Sequence, residues 1–75
     1  MAKLPLLSAK EIFKVLKKLV FELIRQDGSH AFFRHSDGRT TVIPVHPGED
    51  FDRGLLNKII KKDLKITREE FFKNL

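Results

Sequence analysis

Proton transfer near neutral pH falls in this chain to three imidazoles, His30, His35 and His46, because it contains no cysteine. His30 stands apart from the other two. It follows the turn signal Asp27-Gly28-Ser29, and Arg25 and Arg34 flank it in sequence. A neutral imidazole takes up a proton, and a nearby guanidinium favours that neutral form while stabilising negative charge that develops beside it. His30 is therefore the candidate general base and Arg25 the candidate cation at its side. The plain alternative is an exposed histidine with no chemical role.

Other chemistries are poorly supplied. Ser29 and His30 do not make a nucleophile–base pair, since neighbouring strand residues point to opposite faces. The acids sit in turns, loops and helix starts, where capping accounts for them. The glycines fall at turns or at a helix start, so no phosphate-cradling loop is present. The histidine spacing matches no metal-binding pattern, and neither metal nor cofactor is expected.

The elements that position His30 follow from turn and cap signals. Ser8-Ala9-Lys10-Glu11 is a capping box with Leu7 and Ile12 as its staple. Ile12, Phe13, Leu16, Leu19 and Val20 then recur at helical spacing, and the first helix should end near Lys18 or Leu19. Two Asp-Gly pairs, Asp27-Gly28 and Asp37-Gly38, bracket a short aromatic segment and predict a three-stranded antiparallel meander with that segment in the middle.

Taking both pairs as two-residue loops sets the register. Arg25 then faces His30, Leu23 faces Phe32, Phe32 faces Ile43 and His46 faces Ser29. One sheet face becomes Phe21, Leu23, Arg25, His30, Phe32, Arg34, Thr41, Ile43 and Val45, and it should lie under the helices. The other leaves Ile24, Phe33 and Val42 exposed and carries His35 away from His30. A one-residue slip in either turn exchanges the faces.

Pro47-Gly48 marks a loop. A second helix is expected from the N-cap Asp52 to about Lys62, with Leu55, Leu56, Ile59, Ile60 and Leu64 as its stripe. A short C-terminal helix follows the box Thr67-Arg68-Glu69-Glu70, with Ile66 and Phe71 as staple. The order α-β-β-β-α plus a terminal helix predicts an α+β fold, with helices on one face of the sheet. Residues 1–75 read as a single domain.

Charge is segregated. The total is +5, and lysines and arginines concentrate in residues 1–19 and 53–65, each summing to +4, while residues 20–52 sum to −3. Two basic helices suit a polyanion such as RNA or DNA, with Lys58, Lys61 and Lys62 as backbone contacts. The alternative is that these lysines only solvate outer helix faces. Apolar runs reach two to three residues, too short to span a membrane, and Met1–Pro5 lacks the apolar block of a secretory signal. A cytoplasmic protein without a membrane partner is the expectation.

Five ordered blocks carry a resemblance: Leu4–Glu11, Arg25-Gln26-Asp27-Gly28-Ser29-His30, Arg34–Arg39, Pro44–Gly48 and Gly54–Ile60. Together they resemble the HicA toxin family over nearly the whole chain. The resemblance implies a double-stranded-RNA-binding-domain-like fold and a messenger-RNA interferase. Its single required histidine, in the Gly-Ser-His motif, carries over to His30. It also implies a HicB antitoxin that binds the toxin and blocks its site. Two positions depart from the family: Val20 replaces the usual glycine after the first helix, costing the left-handed cap, and Leu55 replaces a threonine.

The expected reaction is metal-independent, with His30 removing the ribose 2′-hydroxyl proton. Arg25, Ser29, Arg34, Lys58, Lys61 and Lys62 are the expected substrate-binding residues. Phe33 is the aromatic available for stacking on a base, or alternatively for contacting a protein. The competing functions are a non-catalytic RNA- or DNA-binding module of the same fold and a small adaptor that docks a partner on its sheet.

Overall fold

The computed structural model describes residues 6–46 and 48–75; the sequence features at Met1–Pro5 and Pro47 lie outside them. The chain runs α1 (Ala9–Lys18), β1 (Glu22–Asp27), β2 (His30–Arg34), β3 (Thr40–Pro44) and α2 (Arg53–Lys58). A π-helical segment (Ile59–Leu64) continues α2, and α3 (Arg68–Lys73) follows. The strands form one antiparallel sheet in the order β1-β2-β3.

The start of α1 is the expected capping box. Ser8 Oγ accepts the Glu11 N–H at 3.3 Å, and Glu11 Oε1 accepts the Ser8 N–H at 3.0 Å. Leu7 and Ile12 are both buried beneath it. Val15, absent from the expected stripe, is buried beside Leu16, whereas Val20 lies past the helix and is 68% exposed. The same entry segment ties to the approach to α2, where the Phe51 N–H donates to the Leu7 carbonyl at 2.7 Å.

The end of α1 corrects one expectation. The left-handed cap survives without glycine. Val20 adopts φ 67°, its N–H donates to Lys17 O at 3.0 Å, and the Phe21 N–H donates to Leu16 O at 2.9 Å. That is the Schellman pattern, with Phe21 buried against the core. A β-branched residue is poorly suited to this conformation, and left-handed backbone costs L-residues roughly 1–2 kcal/mol. Val20 has little packing to lose, so Val20→Gly is expected to stabilise the chain by about 1 kcal/mol, a rise of about 4–8 °C in Tm. A thermal melt of the two proteins checks it.

Both hairpin loops differ from expectation by one residue. In the first, Asp27 pairs with His30, so Gly28-Ser29 occupies the loop, with Gly28 at φ 58°. Gly in the first central position is the II′ pattern. In the second, the Gly38 N–H donates to His35 O at 2.9 Å, and the His35 N–H donates to Arg39 O at 2.8 Å. A three-residue loop, Ser36-Asp37-Gly38, is the result, with Gly38 at φ 100°.

The consequence is a face exchange on β2. Phe32 pairs with Val42 rather than Ile43, and Ala31 and Phe33 turn under the helices in place of His30, Phe32 and Arg34. Thr41, Ile43 and Phe21 are buried as expected. Phe33, read as exposed, is a core residue whose ring meets Phe13 edge-on at 4.9 Å. Val45, and not His46, lies opposite Ser29, its N–H donating to Ser29 O at 2.6 Å.

Asp52 caps α2, its carboxylate accepting the Leu55 N–H at 3.0 Å. Helical structure runs to Leu64, two residues past the expected end, and stops at Lys65 in a left-handed conformation, φ 56°. Leu56, Ile59, Ile60 and Leu64 join Ile12, Leu16, Ile43 and Phe71 in one core between the helices and the sheet.

Two polar contacts lock the hairpin to the helix end. Thr41, buried, donates from Oγ1 to Asp63 Oδ2 at 2.8 Å. Arg39 donates to Asp37 at 2.8 Å and to the Leu64 carbonyl, and its guanidinium lies over the Phe21 ring at 5.2 Å. The Arg39 backbone N–H, and after it the guanidinium, hold the Asp37 carboxyl below the usual carboxylate range. At α3, Thr67 Oγ1 accepts the Glu70 N–H at 3.1 Å. Among the described residues no helix is long and apolar enough to cross a membrane.

Candidate active site

The helices cover one face of β2 and β3 and leave the other open, while every residue of β1 is exposed, including Leu23, which was expected under the helices. Along β2 the open face presents His30, Phe32 and Arg34, with alternate residues separated by about 6.7 Å. His30 is exposed, and neither ring nitrogen has a hydrogen bond or ion pair to another described residue. Its cross-strand neighbours are Asp27 on β1 and Pro44 on β3.

Arg25 reaches this face through a bulge. Leu23 pairs with the buried Phe33, though it is itself 47% exposed, and a regular ladder would carry Arg25 opposite Ala31, on the same side as Leu23. One extra residue between Leu23 and Arg25 shifts the register, so Arg25 comes opposite Phe32. Its guanidinium sits 4.7 Å from the Phe32 ring centroid, and Nε donates to Asp27 Oδ2 at 3.1 Å. Arg25 was expected opposite His30; it shares that face but lies one cross-strand pair further along. Asp27 takes its place beside the histidine.

The other candidate residues divide. Arg34 is exposed on the open face at the far end of β2, opposite Glu22 and Thr40. Ser29 sits in the loop before His30, half-buried. Lys58 lines a groove of about 350 Å³ with Thr40, Val42 and Leu55, between β3 and α2. Lys61 and Lys62 are exposed on the π-helical segment. The open face thus brings together His30, Arg25 and Arg34, while the lysines belong to the helix layer.

His35 is separated from His30 by the pleat, as expected. Its ring packs edge-on against Phe21 at 5.1 Å, and Nδ1 accepts the Asp37 N–H at 3.1 Å, a structural role. His46 is exposed and borders a cleft of about 230 Å³ with Pro44, Glu49, Asp50, Phe51 and Asp52. Among the described residues no group of three or more His, Asp or Glu could hold a metal ion.

Sequence reasoning missed Asp27 and Phe32. Asp27 was accounted for as a turn former, and Phe32 was assigned to the core. The signal for both was the Gly-Ser dipeptide, itself a hairpin loop, which competes with Asp-Gly for the same turn.

A three-stranded antiparallel sheet, helix-covered on one side and carrying a histidine and two arginines on the other, is a double-stranded-RNA-binding-domain-like α+β module. A family model described as "HicA toxin of bacterial toxin-antitoxin" matches residues 9–66, and the chain belongs to the HicA toxin family. It is the toxin of a toxin–antitoxin system and has an antitoxin as its partner. No curated protein matches the chain.

Proposed function

We propose that this toxin is a metal-independent endoribonuclease acting on messenger RNA in the cytoplasm, with His30 as its general base. The observation that carries the proposal is an exposed imidazole, unpartnered among the described residues, on a sheet face that also presents Arg25 and Arg34. His30 removes the proton of a ribose 2′-hydroxyl, and the 2′-oxygen attacks the adjacent phosphorus. The bond from phosphorus to the 5′-oxygen breaks, and that oxygen takes a proton from water. The products are a 2′,3′-cyclic phosphate and a 5′-hydroxyl.

One imidazole supplies roughly 10²–10⁴-fold in such a reaction, so electrostatic stabilisation of the phosphorane must add to it. Arg25 is the nearer cation along the ladder. Asp27 occupies its Nε, which leaves the terminal nitrogens for a phosphate oxygen. Arg34, about 13 Å from His30 along β2, holds a neighbouring phosphate, and Lys58, Lys61 and Lys62 contact the backbone further out. Ser29 contributes at the loop beside His30. No described residue bonds to the His30 ring, so the bound RNA sets its final position. The antitoxin is of the HicB type and covers this face.

The test is a mixed-sequence transcript incubated with the protein in EDTA. The expected result is cleavage, with cyclic phosphate at the new 3′-ends. An uncut transcript that the protein still binds would point to the non-catalytic binding module. Cleavage abolished by EDTA and restored by a divalent ion would remove the metal-free mechanism.

A further inference from the structure

We infer that the Arg25–Phe32 pair is a stacking platform for one nucleobase, which confines the enzyme to RNA that is single-stranded beside the cleaved bond. The inference rests on the reading of His30 as the catalytic base. It starts from the bulge in β1, which shifts Arg25 from the side that Leu23 shares with Phe33 to the side that Phe32 faces and sets it over Phe32 at 4.7 Å. Asp27 fixes the guanidinium from the side at 3.1 Å, yet the Arg25 side chain remains 64% exposed. A planar cation is thus held over an aromatic ring with its outer surface toward solvent.

The surroundings match a base in size and chemistry. The pair lines a groove of about 350 Å³ that also includes Ile24, Arg34, Thr40 and Val42. Ile24 and Val42 are exposed apolar residues there, suited to the edge of a flat ring system, and Arg34 suits the next phosphate. Phe32 is two residues from His30 on the same face, about 6.7 Å away, comparable to one nucleotide step in an extended strand. A ribose at His30 therefore places a neighbouring base over Arg25.

Single-strandedness follows from the stack itself. Bases in a duplex are covered on both faces by their neighbours, and a platform engages only a base that has left that stack. Guanidinium planes and aromatic rings serve this purpose with little sequence preference. The groove thereby selects RNA by its pairing state and tolerates many sequences.

The test uses the full chain with His30→Ala, so that bound RNA stays intact. The probes are a short labelled single-stranded RNA, the same strand with abasic residues through its centre, and the corresponding duplex. The single strand is expected to bind roughly 5- to 150-fold more tightly than the abasic strand. Arg25→Lys keeps the charge and loses the plane, while Phe32→Leu removes the ring beneath it. Phe32→Leu is expected to weaken the intact strand by about tenfold and to leave the abasic strand unchanged, and Arg25→Lys is expected to weaken the intact strand about tenfold more than the abasic strand, which keeps the phosphate contact.

A duplex that binds as tightly as the single strand, or variants that weaken intact and abasic strands alike, would overturn the platform and leave the catalytic reading standing. Failure of the native chain to bind or cut any of the RNAs would take down the catalytic reading first. Variants that keep full RNA affinity but no longer capture the antitoxin would assign the face to the protein partner instead.

Discussion

His30→Ala is expected to lower the rate of RNA cleavage by about 10²–10⁴-fold with almost no effect on stability. The reason for the separation is geometric. His30 sits on the open face, and its ring makes no hydrogen bond or ion pair within the described chain, so removing it leaves no buried cavity and no orphaned donor. Exposed substitutions of this kind stay within about 0.5 kcal/mol. The measurement pairs initial cleavage rates with a urea denaturation curve for both proteins.

Partial rescue of the Ala variant by added imidazole is expected, since a small base can enter the space that the side chain leaves. A variant that cleaves at the native rate would remove His30 from the mechanism. A variant that loses activity and also unfolds earlier would assign it a structural role.

Phe33→Ala should be the most destabilising substitution in the sheet, costing about 3–5 kcal/mol. Phe33 is 2% exposed, lies on the central strand and meets Phe13 edge-on, so truncation opens a cavity in the middle of the core. Domains of this length hold about 4–11 kcal/mol in all, so the variant is expected to lose a large share of its stability. Phe32→Ala, one residue earlier, is expected to cost about 1 kcal/mol or less, mainly the contact with Arg25. Urea midpoints for the two variants decide the register of β2. The opposite ranking would put Phe32 in the core and return the face assignment to the one that Asp-Gly loops predict.

That comparison marks where the sequence was legible. The helices were readable because each cap is local: Ser8 with Glu11, Asp52 with Leu55 and Thr67 with Glu70 all bond within one turn. The number, order and direction of the strands were readable from the two turn signals. The faces were not, because each loop has two nearly equivalent settings one residue apart, and the period-two alternation turns that residue into an exchange of sides. Asp27-Gly28 competes with Gly28-Ser29, and Phe32 competes with Phe33, an identical side chain.

The bulge before Arg25 carries no glycine to announce it, so the contact between Arg25 and Phe32 was invisible. The left-handed Val20 was hidden for a related reason, since residue preference argued against a conformation that the Schellman bonds of α1 impose. His30 was singled out as the candidate by its motif and its turn, but its place on the open face was not legible, because the turn setting put it under the helices. Its neighbour Asp27 was not singled out, because a residue that forms a turn already has an explanation.

The strict alternation along β2 has a bearing on how this chain decays. Ala31 and Phe33 point into the core, while His30, Phe32 and Arg34 point away from it, so adjacent codons are under different constraints. Changes at the first pair are removed because the chain fails to fold. Under the proposed function, changes at the second set would silence the toxin and leave a folded protein behind. A lineage under pressure to disarm the toxin therefore has a cheap route through three positions. Such descendants would keep the fold, and those whose altered side chain lies outside the antitoxin's contacts would still occupy it, which converts a disabled copy into a competitor for the inhibitor of any active one.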